Sequence, residues 1–192
     1  GATVPPPVAS SDAAHYYVAP GGGHVAPFTN WVMAATNIQA AIDAAAVGGT
    51  VWVSNGVYET GGLAGYPMAS DALTNRVVIH KPMTVRSVNG AEKTIIKGAS
   101  PSGSAAVRCV FMTNGATLMG FTLTGGATRD AGDNDRERDG GGVWCPSTNA
   151  VIANCIISNN TAYAGGGAKR GSLHNCVVSY NQGNGAYQSA LY

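Results

Sequence analysis

The charged residues of this chain are concentrated in one short segment, and their types could perform chemistry. Of the 21 Asp, Glu, Lys and Arg residues, eight lie between positions 129 and 139, which we call the charged loop. They are five acidic and three basic residues: Arg129, Asp130, Asp133, Asp135, Arg136, Glu137, Arg138 and Asp139. Carboxylates grouped with guanidinium groups can bind a cation, bind an anionic ligand or transfer a proton. The charged loop is therefore the candidate binding loop.

Alternate positions of the charged loop carry acidic side chains that could coordinate Ca²⁺. They are Asp133, Asp135, Glu137 and Asp139. The segment 135–140 is loosely similar to the opening of a calcium-binding loop, but Pro146 stands where that loop needs a bidentate Glu. A salt-bridged loop folded against the domain surface explains the same residues, because the interleaved arginines can pair with the carboxylates. The sequence predicts no other cofactor.

A motif that recurs four times must supply the framework for this loop. One column of the aligned motif holds Val85, Leu118, Ile152 and Leu173. A second column holds Val88, Phe121, Cys155 and Cys176, and a third holds Leu123, Ile157 and Val178. Asn160 and Asn181 repeat as polar positions, which predicts an asparagine ladder between neighbouring turns. Repeats of this kind are typical of a solenoid, in which each repeat is one coil.

The spacing of the motif separates bare coils from coils with insertions. Ile152 and Leu173 are 21 residues apart, whereas Leu118 and Ile152 are 34 apart and enclose the charged loop. The units are rich in β-branched residues, their apolar positions alternate, and Gly or Asn bounds them, which indicates strands. Strands of successive coils must pair in parallel. The sequence therefore predicts an all-β fold, a parallel β-helix.

Three parts of the chain resemble a known superfamily. Residues 16–62, 76–98 and 140–187 are similar to the pectin-lyase-like, right-handed parallel β-helix proteins of bacterial secreted and surface proteins. The Gly-rich coils also resemble the repeats of polymorphic outer-membrane adhesins, which usually carry Phe where this chain has Cys155 and Cys176. The resemblance implies the right-handed fold and a secreted or cell-surface location. It leaves the chemistry open, because the superfamily holds lyases, hydrolases and non-catalytic adhesins.

Two functions follow from the resemblance. The first is a non-catalytic domain for adhesion, or for binding carbohydrate or a surface protein. Tyr163, Tyr180 and Tyr187 are candidate aromatic contacts for it, although they could equally only cover turns. The alternative is a polysaccharide lyase or glycoside hydrolase that acts on uronate-containing polysaccharide. The charged loop holds the residue types such enzymes use, but the aligned strands carry no acidic residue.

The four cysteines permit two interpretations. They are Cys109, Cys145, Cys155 and Cys176. An even number in an exported protein allows disulfides. Cys155 and Cys176, however, share a core column with Phe121, and Cys145 shares one with Ile79 and Met112, so we predict buried free thiols.

The remainder of the chain predicts one domain with a cap. Residues 1–14 read as a Pro-rich linker, and residues 15–192 as a single β-helix domain. Apolar residues at helical spacing predict a capping helix over residues 36–47, with Thr36 and Gln39 in capping-box positions. The pattern stops at Tyr192 within a coil, so we expect a truncated domain whose bare end could associate with another copy.

Composition narrows the partners. The formal net charge of +1 gives no support for nucleic acid as a partner. No apolar run in the sequence approaches the ~18 residues that a membrane span needs.

Overall fold

The computed structural model describes residues 14–192, so almost all of the predicted linker lies outside the described residues. Within this range the chain forms three parallel sheets and one short helix. The strands are β1 His15–Val18, β2 Thr50–Val53, β3 Gly56–Tyr58, β4 Thr74–Ile79, β5 Thr84–Ser87, β6 Thr94–Lys97, β7 Val107–Met112, β8 Thr117–Met119, β9 Thr122–Thr124, β10 Val143–Trp144, β11 Val151–Ala153, β12 Ile156–Ser158, β13 Ala168–Lys169, β14 Ser172–His174, β15 Val177–Ser179, β16 Ala186–Tyr187 and β17 Ala190–Leu191.

Each complete coil contributes one strand to each sheet, as in a parallel β-solenoid, and β1 and β17 add two further strands to the first sheet. The first sheet has the order β1-β2-β5-β8-β11-β14-β17. The second runs β15-β12-β9-β6-β3, and the third runs β16-β13-β10-β7-β4. All strand pairs within these sheets are parallel, which confirms the predicted solenoid of parallel strands.

Two of the three predicted columns lie in register across the coils. Leu118 pairs with Val85 and with Ile152, which pairs in turn with Leu173. Ile157 pairs with Leu123 on one side and Val178 on the other. The first column is buried throughout, and Val178 packs at the edge of the same core. Stacking of equivalent apolar residues therefore builds the interior, as the motif predicted.

The second column is wrong at its first position. Val88 is 42% exposed, whereas Phe121 and Cys155 are buried. The cause is the turn after β5, where the Ser87 hydroxyl lies 2.7 Å from that of Thr94 and accepts the amide of Gly90 at 3.0 Å. This turn is longer than the equivalent turn between β8 and β9, so the alignment of Val88 with Phe121 does not hold.

The capping helix is shorter than predicted and begins at a different residue. Helix α1 spans Ile38–Ala44, and the Oδ1 atom of Asn37 accepts the amide of Ala40 at 2.8 Å. Asn37, not Thr36, is the N-cap. The Gln39 side chain, predicted to cap the helix, instead accepts the amide of Val78 at 2.8 Å. The helix thereby attaches to β4, and its buried residues pack over the first coil.

The predicted asparagine ladder is present. The amide nitrogen of the Asn160 side chain donates to Asn181 Oδ1 at 3.1 Å and to the carbonyl of Leu123 at 3.0 Å. The Asn181 side chain donates to the carbonyl of Ile157 at 2.8 Å. Asn160 is fully buried, so these bonds satisfy polar groups that water cannot reach and hold successive turns in register.

Candidate functional site

The candidate site lies on the outer face of the sheet formed by β4, β7, β10, β13 and β16. Register places five residues of this face in one row across the coils, which we call the outer row. They are Val78, Phe111, Trp144, Lys169 and Tyr187. The Phe111 and Trp144 rings stack with centroids 5.7 Å apart, and Tyr66 from the 59–73 insertion packs on Phe111. A second apolar cluster therefore sits outside the coils, beneath the insertions.

A buried arginine anchors the charged loop to this sheet. Arg108 on β7 is fully buried, and its Nε donates to the carbonyl of Gly140 at 2.8 Å. Its Nη2 donates to the carbonyl of Asp139 at 2.8 Å, and its Nη1 to Asn75 Oδ1 at 2.8 Å. Burial lowers the pKa of Arg108 to about 9, so the group stays charged at neutral pH. One cation thus holds the loop backbone against β4 and β7.

Two acidic side chains of the charged loop converge on a buried lysine. The Nζ atom of Lys169 lies 2.8 Å from Asp139 Oδ2 and 3.3 Å from Asp135 Oδ1, and the lysine side chain is 5% exposed. Arg170 Nη2 lies 2.9 Å from Asp135 Oδ2. Burial raises the pKa of Asp135, but Arg170 and Lys169 outweigh that effect and leave the pKa below its ordinary value. The Tyr187 ring covers this cluster, 4.3 Å from Lys169 Nζ.

Glu137 binds backbone amides within and beyond the loop. Its Oε1 accepts the amide of Ala72 at 2.8 Å, and its Oε2 accepts that of Asp133 at 3.0 Å. Burial raises the pKa of Glu137, but these amides and the nearby Arg129 together lower it by more than burial raises it. The pKa therefore lies below its ordinary value. Glu137 therefore fastens the charged loop to the 59–73 insertion.

Asp133 and Arg136 complete the internal pairing. Asp133 Oδ1 accepts the amide of Arg136 at 2.9 Å and that of Asp135 at 3.0 Å, and these bonds lower the pKa of Asp133. The Arg136 guanidinium lies 3.0 Å from Asp133 Oδ2 and 3.0 Å from the buried Asp71. The charged loop is thus a salt-bridged structure on the coil face, which was one of the two interpretations of its residues.

The acidic side chains of the charged loop do not fit a calcium ion. Asp135 and Asp139 converge on the ammonium group of Lys169, while Asp133 and Glu137 accept backbone amides. Among residues 14–192, no group of three or more His, Cys, Asp or Glu side chains is placed to hold a metal ion. Calcium binding stays a prediction from the sequence, and the pairing of these four carboxylates with protein cations and amides does not favour it.

A depression of about 250 Å³ borders the charged loop. It is lined by Ser102, Thr128, Arg129, Asp130, Arg138, Ala162 and Tyr163. The Arg138 guanidinium lies 4.7 Å from the Tyr163 ring centroid, and the Tyr163 side chain is 72% exposed. Within the described chain, the Nε atoms of Arg129 and Arg138 are buried and have no hydrogen-bond partner. The 3.5 Å contact of Arg129 Nε with Glu137 is an ion pair too long for a good hydrogen bond.

The three candidate tyrosines differ in their surroundings. Tyr163 borders the depression, and Tyr187 covers Lys169. Tyr180 follows β15 and is 85% exposed. The structure therefore brings Tyr163 and Tyr187 to the charged loop, through Arg138 and Lys169 respectively.

A larger cleft, of about 420 Å³, lies away from the charged loop beside α1. Its walls include Ile38, Tyr58 and Arg76. Two polar side chains there have partners: Tyr58 donates to the carbonyl of Ser54, and Arg76 donates to carbonyls of Lys97 and Gly61. The volume of this cleft is greater than that of the depression beside Tyr163.

Comparison of this chain with protein-family models, with curated proteins and with solved structures finds no match. The search for membrane spans finds no helix within residues 14–192 that is long and apolar enough to cross a bilayer.

Proposed function

We propose that this chain is a non-catalytic domain of a secreted or cell-surface bacterial protein that binds acidic carbohydrate in the depression beside Tyr163. The observation that carries the proposal is the division of charge around the loop. Asp133, Asp135, Glu137 and Asp139 are paired with cations or backbone amides, whereas Arg129 and Arg138 line the depression beside the exposed Tyr163. The proposed fold type is the right-handed, pectin-lyase-like β-helix, supported by the in-register apolar columns.

Paired guanidinium groups suit a carboxylate ligand. Arginine presents a planar array of donors that matches the two oxygens of a carboxylate, and such charge-assisted bonds are about twice as strong as neutral ones. Arg129 and Arg138 both line the depression, and Asp130 is the one acidic residue in its lining. A uronate carboxylate in the depression would lie beside both guanidinium groups and pair with their positive charge.

The remaining walls suit a sugar ring. Tyr163 offers a flat, mostly exposed aromatic face, and such faces stack on the apolar side of a pyranose. The exposed Ser102 can exchange hydrogen bonds with sugar hydroxyl groups. A volume of about 250 Å³ is below the ~300–1,000 Å³ of pockets for drug-sized ligands. It suits one ring of a polymer that passes over the surface.

Catalysis fits this arrangement less well. A general acid or base must reach the substrate and have a pKa near the working pH. Lys169, the residue type that could take a sugar C5 proton, is enclosed by Asp139, Asp135 and Tyr187. The pKa of Asp135 and that of Glu137 are lowered, away from neutral pH. These groups are arranged to hold the loop.

Calorimetric titration with oligogalacturonate and with a neutral oligosaccharide of equal length tests the proposal. We expect binding of the acidic oligomer alone, weakened about tenfold by Tyr163→Ala through loss of the stacking face. Arg138→Gln, which removes the charge and shortens the side chain but keeps it polar, should weaken binding at least as much. Tyr180→Ala is the matched control, because it removes an equally large exposed ring elsewhere and should change nothing.

Three results would overturn the proposal. Equal binding of the acidic and neutral oligomers, or no binding of either, would exclude an acidic-sugar site at the depression. A rise in ultraviolet absorbance from unsaturated products, with the oligomer and Ca²⁺ present, would show lyase activity and so contradict a non-catalytic domain.

A further inference from the structure

Two cysteines lie directly above one another in neighbouring coils. Cys155 stands in the turn between β11 and β12, and Cys176 in the equivalent turn between β14 and β15. The strands on both sides of these turns pair in register. The amide of Val177 donates to the carbonyl of Cys155 at 2.9 Å. The side chains of Asn154 and Asn175, one residue earlier, are hydrogen-bonded at 2.7 Å. The two thiols are therefore nearest neighbours across one coil step.

This stacking places the two residues at a separation that suits a disulfide. Parallel strands lie about 4.8 Å apart, within the ~4.4–6.8 Å between Cα atoms of disulfide-linked residues. Both side chains contact the same apolar core, and the two thiols have equivalent orientations, because each donates to the carbonyl two residues before it, Ala153 and His174 respectively. We infer that Cys155 and Cys176 form a disulfide that joins neighbouring coils when the protein meets a disulfide oxidant such as oxidised glutathione.

Cys176 is the residue placed to react first. It is partly exposed, whereas Cys155 is buried. The adjacent Cys155 thiol lowers the pKa of Cys176 to about 7, and burial raises the pKa of Cys155. A thiolate is the attacking species in disulfide exchange, so accessibility and charge both favour Cys176.

The exchange proceeds in two balanced steps. The Cys176 thiolate attacks one sulfur of the glutathione disulfide, forms a mixed disulfide and releases one glutathione thiolate. Cys155 then loses its proton and attacks Cys176 Sγ, which releases the second glutathione thiolate. Two protein thiols are oxidised, one glutathione disulfide is reduced, and the two thiol protons end on the two glutathione molecules.

The other two cysteines lack this arrangement and serve as internal controls. Cys109 and Cys145 are fully buried, and burial raises the pKa of each to about 12. Trp144 pairs with Lys169, so the residue stacked after Cys145 is Arg170. Cys109 contacts Asn160 Oδ1 and the carbonyl of Thr124. Neither has a second cysteine in register.

The test is equilibration of the native protein with oxidised glutathione, followed by alkylation in denaturant and intact-mass measurement. We expect the free thiols to fall from four to two, with the loss of two hydrogens. The midpoint temperature of thermal unfolding should rise by about 5 °C, because the disulfide lowers the conformational entropy of the unfolded chain. Reduction of the disulfide should return the midpoint to its original value. Peptide mapping of the unsubstituted protein identifies the two linked tryptic peptides without any variant.

Three variants sharpen the assignment. Cys145 and Cys155 lie in the same tryptic peptide, so peptide mapping alone does not tell which of them is linked. Cys145→Ala should keep the link, and this result would assign it to Cys155. Cys176→Ala should leave all remaining thiols free, and Cys155→Ala should leave Cys176 as a stable glutathione adduct. Four free thiols in the native protein after equilibration would overturn the inference. So would a link that involves Cys109 or Cys145.

Discussion

The two faces of the sheet that carries the charged loop are built on different principles. On the inner face, Val77, Val110, Val143 and Ala168 stack in register, so each coil repeats the chemistry of the last. On the outer face, the outer row passes from valine through aromatic rings to lysine and tyrosine. The inner face depends only on coil stacking. The outer face depends on the residues that the insertions place against it. A side chain on the inner face is therefore determined by the neighbouring coils, and one on the outer face by the insertion that covers it.

The largest expected effect compares two phenylalanines. Phe121 lies in the coil interior with no exposed surface, and Phe111 lies in the outer row under Tyr66 and Trp144. We expect Phe121→Ala to lower the free energy of unfolding by about 3–5 kcal/mol, the usual range for loss of a buried ring. Phe111→Ala should lower it by roughly half as much, because the insertions can close over the space. Urea unfolding measures both. Equal losses would mean that the outer cluster contributes as much to the free energy of unfolding as the coil interior does.

The next effect concerns the buried ion pair of the outer face. Lys169→Met removes the cation but keeps most of the volume, which leaves the buried Asp139 carboxylate without its charge partner. We expect a loss of about 3 kcal/mol in the free energy of unfolding. The double variant Lys169→Met with Asp139→Asn should recover most of this loss, because no charge then stays buried. Guanidinium chloride unfolding checks the prediction. A single variant as stable as the native protein would mean that the pair adds nothing to the outer face.

The smallest effect is the response of the outer face to acid. The pKa values of Asp135 and Glu137 are lower in the folded protein than their ordinary values. A carboxylate of this kind contributes stability above its unfolded pKa of ~4, and the contribution is lost as the pH falls through the lower folded value. Stability should therefore be nearly flat from about pH 7 to 5 and fall below about pH 4. Asp135→Asn should fall less steeply in urea unfolding at each pH. Parallel curves for the two proteins would contradict this prediction.

The inner face was predictable because its signal is local and repeated. The spacing of Leu118, Ile152 and Leu173 gave both the coil length and the register, since only one alignment stacks their side chains. The prediction failed at Val88, where extra residues in one turn shift the column. The helix was found by its apolar periodicity, but its first turn was misassigned, because Gln39 binds the backbone of Val78 on a strand that sequence alone could not place nearby.

The outer face was predictable only in part. The charge content of the loop indicated internal ion pairs, and such pairs are present. The most buried side chains that hold the loop, those of Asp71, Arg108 and Lys169, come from positions outside it in the chain. No periodicity links them to the loop, because each is a single charged residue that does not recur from coil to coil. Knowing the register would have helped, since it aligns Lys169 with Trp144 next to the loop.

One connection of the solenoid varies in length while the strands around it keep their pairing. In successive coils it spans residues 98–106, 125–142 and 159–167. The charged loop belongs to the longest of these, yet the strands before and after it align with their neighbours without a shift. Such a connection could accept an inserted foreign peptide or epitope, and the stacked coils would display it, provided that the insertion leaves in place the residues that pair with the buried Arg108 and Lys169.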